Sequence, residues 1–308
     1  MGRPRGVGSH ARPRGQPILK LISKPTRQRL EALAARAVLA VMRALPVDAA
    51  SALGGGLTRT IGPLLKVSKV ARRNLARAFP QKSPAEIDAI VKDVWENLGR
   101  VVGEFPHVQE LMEKRVEVIG LEHVHALRDD GQCGLFIASH FGNWELAGAL
   151  AAREGLALTV VYRAANNPWV EDLYRECRAN AGAGQIRKGS EGAREILAVL
   201  RQGGHLGMLV DQKMNDGIPV PFFGRDAMTA PAAARFALKF RCPVVVFKVE
   251  RLKGAHFRMT MLPAMDLPDT GDIHADTLSV MTRLNAQIEE WVRERPGQWL
   301  WLHKRWPD

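Results

Sequence analysis

The sequence predicts an α/β fold: a central, largely parallel mixed sheet flanked by helices, with amphipathic helices ahead of it. Three observations lead there. Short apolar runs of strand type recur through the middle of the chain: "GLFIAS", "ALTVVY", "HLGMLV", "PVVVFKV" and "FRMTML". Helical patterns lie between several of them, and strand–helix alternation is the mark of a largely parallel sheet. Before these runs the apolar residues recur at helical spacing.

The chain opens on "MGRPRGVGSHARPRGQP", which is Gly, Pro and Arg with almost nothing to bury. Residues 1–28 are expected to be a disordered basic tail, and 29–308 a single domain with a helical N-terminal part. In "RQRLEALAARAVLAVMRALP", Leu30, Leu33, Ala37, Val38, Val41 and Leu45 share one face, Arg29, Arg36 and Arg43 stack on another, and Pro46 ends the helix. Two readings fit: a surface helix packed on the domain, or a helix lying in a membrane interface with Arg toward anionic headgroups. A second basic stripe follows at Lys66, Lys69, Arg72, Arg73 and Arg77. Each cation near an anionic bilayer contributes ~1 kcal/mol, although such a run is also what a solvated face looks like. Ser83 and Glu86 with Pro84 form a capping box that opens a helix through Ile87, Ile90, Val94 and Leu98. The interstrand helices are "WELAGALAARE", "NPWVEDLYRECRAN", "EGAREILAVLRQG" and "APAAARFALKF". A last helix runs from about Asp276 to Arg293, with Leu278, Met281, Leu284, Ile288 and Trp291 on one face.

At 308 residues with 46% apolar content, the chain can bury a sizeable core. Its net charge is +12, yet eight cations precede the first acidic residue, Glu31, so the body is only mildly basic. Cys133, Cys177 and Cys242 are odd in number and far apart, which argues for a reducing, cytoplasmic setting. No apolar run reaches the ~20 residues of a membrane-spanning helix. The basic start leads into Gly and Pro instead of the apolar stretch of a signal peptide.

The chemistry concentrates in "GLFIASHFGNWELAGAL". On a continuous helix His140 and Glu145 would point about 140° apart. A strand ending before His140 and a helix starting after Asn143 put a turn between them, with Gly142 supplying the bend and Asn143 the N-cap. His140 then stands at the carboxyl end of a strand, where open α/β sheets bind ligands. Returned by the turn, Glu145 is expected to hold one imidazole nitrogen while the other accepts a proton from an alcohol. There is no G-x-S-x-G, so no acyl-enzyme is expected, and no H-E-x-x-H or other ligand cluster for a metal. Asp211 and Gln212 follow the strand "HLGMLV" and are candidates for substrate binding, with an ordinary loop or cap as the alternative. Arg163 closes another strand, and a guanidinium there suits phosphate. Phe222 and Phe223 in "IPVPFFGRDAM" are read as core or as an acyl-pocket lining in a loop pinned by Pro219 and Pro221. His303 is read as structural, with Lys304 and Arg305 placed to meet anionic lipid.

"SHFGNWE" resembles the His-x4-Asp/Glu box of the glycerolipid acyltransferases. With "RRNLARAFP", "VYRAANNP", "LVDQK", "VPFFGRDAMTAPA" and "WLWLHKRW" in the same order, the chain from about Arg29 onward is similar to the late acyltransferases of lipid A biosynthesis. The resemblance implies a glycerol-3-phosphate acyltransferase-like fold and a peripheral enzyme on the cytoplasmic face of a bacterial inner membrane. It also implies acyl transfer from an acyl carrier protein thioester to a hydroxyl carried by an acyl chain of a lipid A precursor. His140 would be the general base and Glu145 its orienter; Asn143, Arg163, Asp211 and Gln212 would contact substrate. No cofactor is expected, because a thioester arrives activated. The expected partners are the carrier protein, the glycolipid and an anionic membrane, and not nucleic acid. Alternatives are an acyltransferase for a phosphatidylinositol mannoside or a lysophospholipid, and a non-catalytic lipid-binding protein on the same fold.

Overall fold

The computed structural model describes residues 23–179 and 182–307. Most of the expected basic tail, residues 1–22, lies outside the described residues. The boundary expected at 29 moves toward the N-terminus: α1 (Lys24–Ala44) begins five positions earlier, its first turn capped by Ser23, whose Oγ accepts the Thr26 N–H. Helices α2 (Val47–Ile61), α3 (Ser68–Ala78), α4 (Pro84–Glu104) and α5 (Val108–Lys114) follow. The capping box forms as expected. Ser83 Oγ accepts the Glu86 N–H, and the Glu86 carboxylate accepts the Ser83 N–H at 2.8 Å. Helices α2 and α4 meet backbone to backbone. A Cβ on Gly99 would fall 2.2 Å from the Gly54 carbonyl oxygen, so only glycine permits this approach.

The sheet begins with β1 (Val116–Ile119), and α6 (Leu121–Asp129) leads to β2 (Gly134–Ala138). Then come α7 (Leu146–Arg153), β3 (Leu158–Tyr162), α8 (Pro168–Ala179), β4 (Gly184–Arg187), α9 (Ser190–Arg201) and β5 (His205–Leu209). A hairpin of β6 (Lys213–Phe222) and β7 (Arg225–Thr229) precedes α10 (Ala232–Phe240), β8 (Val244–Lys253), β9 (His256–Met261) and α11 (Ile273–Glu294). The seven-stranded sheet has the order β1-β9-β8-β2-β5-β3-β4. Every neighbouring pair is parallel except β8–β9. This is the largely parallel mixed sheet that the sequence predicts.

Both faces of the sheet are covered. Side chains alternate across a strand, so Leu135, Ile137, Val244 and Val246 join a core under α4, α10 and α11. Phe136, Ala138, Val245 and Phe247 join the opposite core, under α5 and α7. The segment expected as a Pro-pinned loop is the hairpin: Pro219 and Pro221 lie within β6, in a two-stranded ribbon outside the main sheet. Its turn carries Phe223 and Gly224 at φ 53° and 67°, the left-handed pair that a two-residue hairpin requires. Phe223 is held in that unfavourable conformation by packing against Phe79, Phe222, Trp301 and Trp306 and by its N–H, which donates to Glu289. Both phenylalanines are therefore core. In the second basic stripe, Arg72 pairs with Asp88 at 2.6 Å and Arg77 donates to the Pro307 carbonyl, so part of that charge is spent within the fold.

Candidate functional site

Strands β2 and β5 are parallel neighbours, with Ala138 opposite Leu209. His140 and Asp211 each stand two residues beyond that pair. The register therefore sets them side by side at the carboxyl edge of the sheet, although 71 positions separate them. Nδ1 of His140 lies 2.8 Å from Oδ1 of Asp211, and the His140 backbone N–H donates to Oδ2 at 2.8 Å. Trp299 Nε1 donates to the same Oδ2 at 2.7 Å. A carboxylate on Nδ1 fixes the tautomer: that nitrogen carries the proton and Nε2 keeps its lone pair. Gln212 Nε2 lies 3.4 Å from that Nε2. Asp211 is 1% exposed and the His140 side chain 16%, so the pair presents only the imidazole outward.

Burial alone would push the Asp211 carboxyl up. The charge of His140, its hydrogen bonds and His303 outweigh burial and hold it well below the usual carboxylate range. His303 is pushed down to about 4 by burial, against the pull of Asp211. Its Nε2 lies 3.3 Å from the Asp211 carbonyl and its ring packs 5.2 Å from that of Trp299, so it backs the site as the structural histidine the sequence suggests. Arg305 does not meet lipid. It is fully buried over the Phe222 ring and donates to Thr229 Oγ1 at 2.9 Å; burial lowers it to about 10, which leaves it charged.

The turn after β2 is clamped from all sides. Gly142 has φ 59°, and a Cβ there would fall 1.7 Å from the Val249 carbonyl oxygen. Its N–H donates to Gln298 O at 3.0 Å, while Leu300 N donates to His140 O at 3.1 Å. Asn97 Nδ2 donates to the Gly142 carbonyl at 2.9 Å. Asn143, expected to contact substrate, is fully buried: its Oδ1 accepts the Glu145 N–H at 3.2 Å and its Nδ2 donates to Glu104 at 2.9 Å. Helix α7 starts only at Leu146, so Asn143 closes an Asx turn two residues ahead of the cap position, which Glu145 occupies. Glu104 is itself buried, paired with Arg251 and accepting from Ser51 Oγ at 2.6 Å. A buried ion pair is tolerated where hydrogen bonds complete it, and this one ties the turn to α2, α4 and β8.

The orienting carboxylate expected from Glu145 is supplied by Asp211. The turn does bend the chain, but it sends Glu145 to α8, where Arg178 grips it at 2.7 and 2.9 Å; Trp144 Nε1 donates to it at 3.0 Å. Asp211, expected to touch substrate, instead lies behind the imidazole. Arg163 is one residue beyond β3, exposed, and without a hydrogen bond or ion pair among the described residues.

One side chain away from the imidazole, across Trp144, is an apolar cavity of ≈ 650 Å³, its open mouth included. Phe136, Ala138, Leu158, Val160, Leu209 and Phe247 line it, and Trp144, Glu145 and Arg178 complete the wall. The Trp144 ring stands edge-on to His140, with centroids 5.1 Å apart. Trp144, Trp299, Arg178 and Glu104 escaped the sequence reading as site residues. The two tryptophans lie in the quoted blocks "SHFGNWE" and "WLWLHKRW"; Arg178 and Glu104 carry no local signal. The arrangement can deprotonate a hydroxyl at Nε2, stabilise the resulting imidazolium through Asp211, and hold a hydrocarbon alongside.

Comparison with known proteins gives a consistent picture. The family model for bacterial lipid A biosynthesis acyltransferases matches residues 24–308. A lipid A biosynthesis acyltransferase of Haemophilus influenzae is 24% identical over 272 residues, covering 86% of this chain and 83% of the relative. A lipid A biosynthesis myristoyltransferase of Escherichia coli is 25% identical over 250 residues, 78% of this chain and 76% of its own. A phosphatidylinositol mannoside acyltransferase of Mycolicibacterium smegmatis is 26% identical over 249 residues, 76% and 78% of the two chains.

Proposed function

This chain belongs to the bacterial lipid A biosynthesis acyltransferase family, and from that premise we propose that it moves a fatty acyl group from an acyl carrier protein thioester to a hydroxyl of a lipid A precursor. The carrying observation is the His140–Asp211 pair, which presents its imidazole outward against Trp144, a wall residue of an apolar cavity. Nε2 of His140 takes the hydroxyl proton as the oxygen attacks the thioester carbonyl. Asp211 stabilises the imidazolium that forms. The tetrahedral intermediate collapses with loss of the thiolate, which recovers the proton, so an ester and a free thiol leave the site. Gln212, within reach of Nε2, positions the hydroxyl before transfer. Glu145 acts through Arg178 and Trp144, keeping the cavity wall in place, and the exposed guanidinium of Arg163 suits an acceptor phosphate.

The cavity suits the donor chain. Each methylene buried there contributes ~0.8 kcal/mol, before ordering costs. Among the described residues no helix is long and apolar enough to cross a membrane. Exposed apolar side chains on consecutive N-terminal elements support interfacial docking at the inner membrane: Leu30, Leu33 and Val41 on α1, Leu53, Leu57 and Ile61 on α2, and Leu64, 83% exposed, beyond it. Lys66 and Lys69 follow directly, where anionic headgroups would meet them.

The test is transfer of a radiolabelled acyl group from carrier protein to purified lipid A precursor. Wild type is expected to form the ester, and His140→Ala to lose about 10²–10⁴-fold in kcat with its melting temperature held. Near-normal transfer by His140→Ala would reject the mechanism. The mycobacterial relative favours a second reading, another glycolipid acceptor, and the same assay with a phosphatidylinositol mannoside distinguishes the two.

A further inference from the structure

A second apolar space meets the first at the Trp144–Glu145 wall. It spans ≈ 760 Å³, its open mouth included, between α1, α4 and α8, lined among others by Ala35, Leu39, Val101, Phe105 and Tyr174. Trp144 and Glu145 line both spaces, so the wall that touches His140 on one side has hydrocarbon-compatible space on two. The second space shares Leu39, Phe105 and Leu173 with a wider groove of ≈ 1240 Å³, open mouth included, whose lining is about half polar. Arg36 and Arg43 stand on its α1 side. Both are exposed, and neither has an ion pair or hydrogen bond among the described residues. Seven positions apart, they lie about 10 Å from one another along one helix face. Glu176 is the single carboxylate among the residues lining the groove.

An apolar slot that ends at two cations facing one carboxylate, and with no ion pair among the described residues, fits an anionic amphiphile. The proposed reaction needs such a slot. If the acceptor hydroxyl is carried on an acyl chain, both reactants bring hydrocarbon to His140, and one cavity cannot receive both. We infer that the space between α1, α4 and α8 is the acceptor site, with the acceptor's acyl chain along Leu39 and Val101 and its phosphate between Arg36 and Arg43. The inference rests on the acyl-transfer reading above. It gives the basic face of α1 a role distinct from general attraction to a membrane. It also makes the Glu145–Arg178 pair a partition between donor and acceptor chains.

Steady-state transfer by wild type and by an Arg36→Ala/Arg43→Ala double variant tests this, using acyl carrier protein thioester as donor. Two acceptors are compared: a phosphorylated lipid A precursor, and the same glycolipid with its phosphates removed. The expected result is a KM for the phosphorylated acceptor raised about tenfold in the variant, with the KM for donor unmoved. Removing the phosphates should raise the wild-type KM at least as much, and the variant's by a smaller factor, the part that Arg163 carries. An unchanged acceptor KM in the variant overturns the inference. So does a rise confined to the donor KM, which would make the groove a carrier-protein surface. Failure of wild type to acylate either glycolipid overturns the functional reading itself, and the acceptor site falls with it.

Discussion

Asp211 and Glu145 flank the same turn, and the chain builds them in opposite ways. Asp211 is remote from His140 in sequence and buried; it receives the imidazole, the His140 backbone N–H and the Trp299 indole. Glu145 is only five positions from His140, yet it faces Arg178 and Trp144 across the boundary of two apolar spaces. A buried carboxylate is stable only when donors replace its lost water, and both meet that condition. Only one meets it through the imidazole. Strand register, which acts over any sequence distance, outranks closeness along the chain.

Replacing Asp211 should break this comparison most severely. An Asn at 211 offers one acceptor oxygen where three N–H groups converge. Asp211→Asn is expected to lower kcat about 10²–10⁴-fold and to cost about 1–3 kcal/mol of stability for an N–H left unpaired, read by denaturant melts.

The Glu145–Arg178 pair should behave differently. Glu145→Gln leaves Arg178 without its counter-ion in a half-buried place, and transfer should fall by less than in Asp211→Asn. A second change, Arg178→Met, removes the stranded charge and should restore part of the loss, because such pairs are non-additive. A double variant as poor as the product of the two single losses would mean that Glu145 acts on the imidazole after all.

The smallest effect concerns acid stability. His303 stays neutral in the fold down to about 4, whereas an exposed histidine protonates near 6.5. Its contribution to stability is therefore complete above about 6.5 and lost as pH falls toward 4, at no more than ~1.4 kcal/mol per unit. The depressed carboxyl of Asp211 has the same sign but acts lower, through and below the ordinary carboxylate range. His303→Gln should flatten the fall of melting temperature between pH 6.5 and 5 and leave the steeper loss below it.

Much of the architecture was legible because the strands are apolar on both faces and the caps are local. "GLFIAS" and "HLGMLV" announce themselves as strands, and the Ser83–Glu86 box marks its helix start. Even the placement of His140 and Asp211, each just past a strand, could be read. What could not be read was that β2 and β5 are neighbours, since β3 and β4 intervene in the chain but lie outside them in the sheet. The β6–β7 ribbon was hidden by Pro219 and Pro221, which argue against a strand in a central sheet but not in an outlying hairpin. Arg178 and Glu104 found their roles through packing of α8 and α4 alone.

The central claim, that Asp211 and not Glu145 holds the imidazole, is tested most directly by ¹⁵N NMR of His140 near neutral pH. In wild type and Glu145→Gln, the ring should show a protonated Nδ1 in a strong hydrogen bond and an unprotonated Nε2; in Asp211→Asn that signature should weaken or shift to the other tautomer. Loss of the signature in Glu145→Gln with its survival in Asp211→Asn would contradict the assignment outright.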